Sequence, residues 1–211
     1  MRHSRRALIR DGLLGGVAAF AAPAALAPEA ALGAGAVQPS STGVAKLFAQ
    51  ASDDAGVLRE LVVVEQLLVV SYQHLLVAGG LSGSTKPLVS SFLGHERAHL
   101  RLLSGALGRR GGAPPEPAPD ADQASRKLAG LGASGSLVRS RTETDSVHYL
   151  ISAETVAEGV YYEGMSKLTD SGLAIVAAQT MACQAQHWSA LSGLLHAGDV
   201  NRAVPYPVVL G

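Results

Sequence analysis

The run Glu96-Arg97-Ala98-His99 sets a carboxylate and an imidazole three residues apart. On a helix the two side chains leave one face about one turn apart. That face is otherwise apolar, with Leu88, Val89, Phe92, Leu100, Leu103 and Leu107 on or beside the same stripe, so Glu96 and His99 should point into a core. A carboxylate buried without a partner is costly, and a divalent metal is the economical counter-charge. A polar pair on a helix edge is the alternative, and the rest of the chain has to decide between them.

The insertion is repeated. Glu65 is followed seven residues later by Tyr72, and Glu154 seven residues later by Tyr161. The run Glu96 to Gly105 aligns without gaps on Gln184 to Gly193, which sets His187 against His99 and Gln184 against Glu96. Glu65 and Glu96 are 31 residues apart, Glu154 and Gln184 30. Two helical hairpins with the same polar insertions are read from this repeat.

Four long helices must position these groups. Ser52, Asp53 and Asp54 can cap the first, which runs to about Ala78 on the stripe Leu58, Leu61, Val62, Glu65, Leu68, Val69, Tyr72, Leu75 and Leu76. Pro87 suits the first turn of the second, which carries Glu96 and His99 and ends near 108–112. Prolines 114, 115, 117 and 119 exclude helix and open a long crossover over 111–141, with a short helix at about 120–131. Thr142, Thr144 or Asp145 can cap the third helix, which runs to about Thr169; the fourth spans about Leu173 to His196. A short helical segment at about 44–50 precedes them.

On these residues the chain resembles the ferritin-like superfamily of four-helix bundles, in which a Glu from each of two helices and a Glu-x-x-His from each of the other two enclose a di-iron or di-manganese centre. The resemblance covers about residues 50 to 197. It implies an all-α antiparallel four-helix bundle with a long crossover between helices two and three. It also implies that Glu65, Glu96, His99, Glu154 and His187 ligate two iron or manganese ions, with Glu96 bridging and one His on each ion. Oxidation of Fe(II), or chemistry on dioxygen or peroxide, would be the activity.

Gln184 departs from the pattern, which has Glu there. A neutral amide bridges two metals poorly and leaves an extra positive charge. Glu158, one turn beyond Glu154, could swing in; the last helix could supply only its His, as in some manganese catalases; or the site could hold one metal or none. The last case describes a non-enzymatic helical bundle acting by passive metal binding or interaction. His95 points about 100 degrees from Glu96 and reads as a surface residue. Cys183, the single cysteine, excludes an internal disulfide and reads as a small buried hydrophobe. Tyr72 and Tyr161 read as core residues with satisfied hydroxyls, Trp188 as core or rim, and His148 as a candidate neighbour of the site.

The chain has 211 residues, 47% hydrophobic and 16% charged, with formal net charge zero. That balance argues against a nucleic-acid binder. Ser4-Arg5-Arg6-Ala7-Leu8-Ile9-Arg10 resembles a twin-arginine export signal, followed by an apolar run from Leu13 to Leu26 and a small-x-small sequence at Ala34-Gly35-Ala36. The expected organisation is a signal peptide at 1–36, a leader at 37–52, the bundle at 53–197 and a tail at 198–211. Removing four Arg and two acids from 17 of each leaves 13 basic against 15 acidic residues. The resemblance implies the twin-arginine translocase as a partner during export, and a destination in the periplasm, cell envelope or medium; a homo-oligomer is left open.

Overall fold

The computed structural model describes residues 41–199 apart from 79 and 119. The export signal, the first residues of the leader and most of the C-terminal tail lie outside the described residues. Among the described residues there are six α-helices, α1 (Ser41–Leu47), α2 (Asp54–Ala78), α3 (Thr85–Arg109), α4 (Ala121–Gly130), α5 (Glu143–Lys167) and α6 (Ser171–Leu195), with a 3-10 turn at Leu137–Arg139.

The four long helices α2, α3, α5 and α6 have 25 residues each, about 37 Å of helix. Asp and Thr side chains set the starts of three of them. Asp53 Oδ1 accepts from Gly56 N at 2.7 Å before α2, Thr142 and Asp145 form a reciprocal capping box on α5, and Asp170 Oδ1 accepts from Gly172 N and Leu173 N on α6.

Polar ties at the ends fix the topology. At one end, Asp54 at the start of α2 accepts from Thr169 N at 2.7 Å, and Arg110 after α3 pairs with Asp170 before α6. At the other end, Glu143 at the start of α5 accepts from Ser82 N at 2.6 Å and from Thr85 Oγ1 at 2.7 Å, beside the α2–α3 turn. The helices therefore alternate in direction, and α3 finishes at the end opposite to the start of α5. The crossover must run the length of the bundle, which explains its size.

The crossover is packed along the way. Gln66 Nε2 on α2 donates to Pro115 O at 2.8 Å, and Ala118, Ala124, Leu128 and Leu137 are buried. Gly80 has φ +62° in the α2–α3 turn, where a Cβ would stand 2.3 Å from Arg141 O; only glycine suits both the backbone and the gap. The leader is not wholly loose, since α1 buries Val44 and the turn after it buries Phe48 against the core, and Gly43 passes so close to Gly130 that a Cβ would meet its carbonyl at 2.5 Å.

The hairpins α2–α3 and α5–α6 meet chiefly through α2 and α5. By length and composition α2 is apolar enough to cross a membrane. Its burial gives the reason: α3, α4 and α5 all pack on it, so few of its faces need to be polar. Among the described residues the fold is all-helical, with the four long helices that the apolar stripes predict.

Candidate metal centre

Helix register brings the inserted polar residues to one level. Glu65, Glu96 and Glu154 are each the twelfth residue of their helices, and Gln184 is the fourteenth of α6. They lie at mid-height of the bundle and have no solvent exposure. His187 is buried, and the His99 side chain keeps 13% of its surface exposed.

Two trios of donor atoms form there, each mutually within 4.8 Å: Glu65, Glu96 and His99, and Glu96, Glu154 and His187. They share Glu96. His99 Nδ1 stands 3.6 Å from Glu65 Oε2 and 3.5 Å from Glu96 Oε2; His187 Nδ1 stands 2.9 Å from Glu96 Oε1 and 3.3 Å from Glu154 Oε1.

Despite this proximity, Glu65 Oε2, Glu96 Oε1, Glu154 Oε2, His99 Nδ1 and His187 Nδ1 are buried without a hydrogen bond. Buried polar atoms are normally satisfied, so five in one place indicate donors arranged around something other than each other. Carboxylate oxygens and imidazole nitrogens suit a first-row transition ion, and these residues fit such a group.

The remaining bonds hold the carboxylates in place. Tyr72 of the first hairpin donates to Glu154 Oε1 of the second, and Tyr161 of the second donates to Glu65 Oε1 of the first. Burial, and then the nearby Glu154 or Glu65 carboxylate, raises each phenol well above its ordinary value, so both remain donors. The tyrosines are core residues with satisfied hydroxyls, and the partners that satisfy them are the site carboxylates.

Gln184 Nε2 donates to Glu65 Oε1 at 3.2 Å and Glu96 Oε2 at 3.0 Å. The amide thus ties two carboxylates together. Glu158 belongs to neither trio; burial and then Glu154 raise its carboxyl to about 7.

With protons as the only counter-charge, the site divides them unevenly. Burial and the Glu96 charge raise Glu65, and burial and the Glu96 charge raise Glu154. Burial also opposes charge on Glu96, but the His187 and His99 imidazoles close beside it outweigh burial and lower that carboxyl. Burial opposes charge on the two imidazoles as well, yet Glu65 and Glu96 hold His99 up to about 11, and Glu154 and Glu96 hold His187 up to about 10. Glu96 is the anion common to both halves.

His95 is at the surface as read, whereas Cys183 departs from its sequence reading. His95 is exposed, but its Nδ1 lies 2.9 Å from His187 Nε2. Cys183 is half-buried rather than a core hydrophobe, and its Sγ lies 3.5 Å from His187 Nε2. The signal for both was their spacing, with His95 next to Glu96 and Cys183 one turn before His187. Trp188 donates Nε1–H to Thr155 Oγ1 at 3.1 Å at the rim, and His148 is exposed beside the crossover turn at 134–140.

A family model described as a ferritin-like domain matches residues 42–197, which takes in all four long helices and every candidate ligand. A search of curated proteins found no match.

Proposed function

The chain belongs to the ferritin-like domain family, and on that premise we propose that its bundle holds two iron or manganese ions and carries out redox chemistry on Fe(II), dioxygen or peroxide. The observation that carries this reading is the set of five buried, unbonded donor atoms drawn from four helices around one shared carboxylate.

Glu65 and His99 would hold one ion, Glu154 and His187 the other, with Glu96 common to both. When bound, such ions would supply one-electron changes and an attachment point for oxygen species. The chain's own residues do the rest. Tyr72 and Tyr161 each fix one oxygen of a terminal carboxylate on the opposite hairpin, which locks the hairpins in register and leaves the other oxygen free to ligate. Gln184 sets Glu65 and Glu96 at a fixed spacing. The buried side of the centre excludes water, and access is from the side of His99.

Export by the twin-arginine pathway completes the proposal and is supported by the residues Ser4 to Arg10 and the apolar run after them. It fits a protein that folds around its metal before leaving the cytoplasm.

One observation favours a second reading. The Gln184 amide adds no charge, so three carboxylates face two dications and the centre keeps an excess positive charge. A bundle that holds one ion, or has lost turnover and acts by binding, would follow. Fe(II) oxidation and peroxide consumption by the iron- or manganese-loaded chain, beside Glu96→Gln, decide between them. Turnover by the parent and none by the variant supports the oxidoreductase, and equal background rates favour the binding protein.

A further inference from the structure

His187 faces two ways. Its Nδ1 looks at Glu96 and Glu154, while its Nε2 looks outward between His95 Nδ1 at 2.9 Å and Cys183 Sγ at 3.5 Å. Cys183 Sγ and His95 Nδ1 are 3.9 Å apart, so the three outer atoms form a closed triangle.

The geometry points to a second metal seat at the rim of the bundle, built from His95, Cys183 and His187 and suited to a thiophilic d10 ion, Zn(II) or Cu(I). An ion about 2.0–2.1 Å from nitrogen and 2.3 Å from sulfur at tetrahedral angles sets N···N near 3.3 Å and N···S near 3.6 Å. The observed separations of 2.9, 3.5 and 3.9 Å differ from these by about half an ångström or less, within the reach of side-chain rotation.

Local structure supports the seat. Cys183 and His187 are one turn apart on α6 and leave the same face, and His95 comes across from α3. Phe92 stacks on the His187 ring at 4.1 Å, which holds the imidazole plane and walls one side with an apolar surface. His95 stands at the exposed edge, so an ion can enter. The donor set differs in kind from the inner one. Two nitrogens and a thiolate select softer ions, whereas the carboxylates inside select harder ones, so the two seats divide metals by chemistry.

Binding displaces the Cys183 thiol proton and the Nε2 proton of the His187 imidazolium to solvent, leaves Nδ1–H toward Glu96 and Glu154, and forms metal–sulfur and metal–nitrogen bonds with no change of oxidation state. The outer seat uses His187 Nε2 and fills with the inner centre empty; with both seats filled His187 would bridge them as an imidazolate, its second ring proton also passing to solvent.

Co(II) titration of the metal-free chain under reducing conditions tests the proposal, because a thiolate bound to Co(II) absorbs in the near ultraviolet and carboxylate or imidazole ligation does not. The expected result is a thiolate band whose final intensity corresponds to one thiolate-bound Co(II) per chain, beyond the Co(II) taken by the inner centre, and which excess Zn(II) bleaches. The band disappears in Cys183→Ala, and its affinity falls about tenfold or more in His95→Ala. It persists in Glu154→Gln, which disables the inner trio and separates the failure of one seat from the failure of the other. Competition against a Cu(I) chelator then distinguishes Cu(I) from Zn(II). No thiolate band in the folded parent, or a band that His95→Ala leaves unchanged, would overturn the proposal and leave the three atoms as a hydrogen-bonded cluster.

Discussion

The Glu65–His99 half of the centre and the Glu154–His187 half come from one repeated hairpin, and they differ in what stands behind the imidazole. Phe92 stacks on His187, packs edge-on against Tyr72 at 6.5 Å, and covers one face of that imidazole. At the equivalent place in the repeat stands Thr180, whose hydroxyl donates to Val176 O at 3.0 Å along its own helix. A threonine cannot cover an imidazole, and the His99 side chain keeps 13% exposure against 2% for His187. The inward-facing carboxylates and imidazoles are thus kept alike, while the second layer makes one half closed and the other open. The shared position also breaks the symmetry, with Glu96 in one hairpin and Gln184 in the other.

Substitutions rank by how much of that comparison they touch. Glu96→Gln removes the anion common to both halves and should abolish binding of both ions, seen as loss of two metal equivalents by elemental analysis. His187→Ala opens the closed half and should lose one equivalent and destabilise the fold by about 2–4 kcal/mol, since it also creates a cavity beneath Phe92. His99→Ala should lose one equivalent with a smaller fall in thermal midpoint, as its side is already open.

Gln184→Glu sharpens the symmetry. It should tighten binding of the metal pair by restoring a fourth carboxylate, and lower the midpoint of the metal-free chain, because two like charges would then face each other in the core. Isothermal titration and thermal melts read the two effects separately. Tyr72→Phe and Tyr161→Phe test the crossed bonds between the hairpins. Each leaves a buried carboxylate oxygen short of a donor and should cost about 1–3 kcal/mol in denaturant unfolding, with similar values for the pair if the exchange is reciprocal.

The smallest effect is in pH. Glu65 and Glu154 are raised above the ordinary carboxyl value of 4.5, so the stability they lend is complete below that pH and declines as pH rises through neutrality. The raised imidazoles add stability that is whole below 6.5 and is lost only as pH climbs to about 10–11. Glu96 is lowered and contributes above 4.5, losing its contribution in acid. Denaturant midpoints of the metal-free chain should therefore fall from pH 5 to pH 8. Metal has to displace the same protons, so with iron or manganese bound the trend should reverse.

Much of this arrangement is legible in the residues themselves. The stripe from Leu58 to Leu76 has one inward face, the capping residues Asp53 and Thr142 mark two helix starts, and the four prolines can only be crossover. The polar insertions sit on those stripes, so burial of Glu65, Glu96 and Glu154 follows from helical periodicity alone. Cys183 and His95 are less legible because periodicity says which face a residue occupies, not which helix lies across from it. The 100 degrees that separate His95 from Glu96 turn it toward α6 as well as toward water. The seven-residue spacing of Glu65 to Tyr72 is visible, but the partner of each hydroxyl lies on the other hairpin. The choice of partner is a matter of tertiary packing.

The central claim is that two ions sit between the halves. The most direct test is the metal content of the chain purified after growth with iron and manganese, beside a His99→Ala/His187→Ala double variant of confirmed helicity. The account predicts about two equivalents of iron or manganese in the parent, one for each donor trio, and almost none in the variant. A folded parent holding less than about a tenth of an equivalent after reconstitution with Fe(II) or Mn(II) would contradict it.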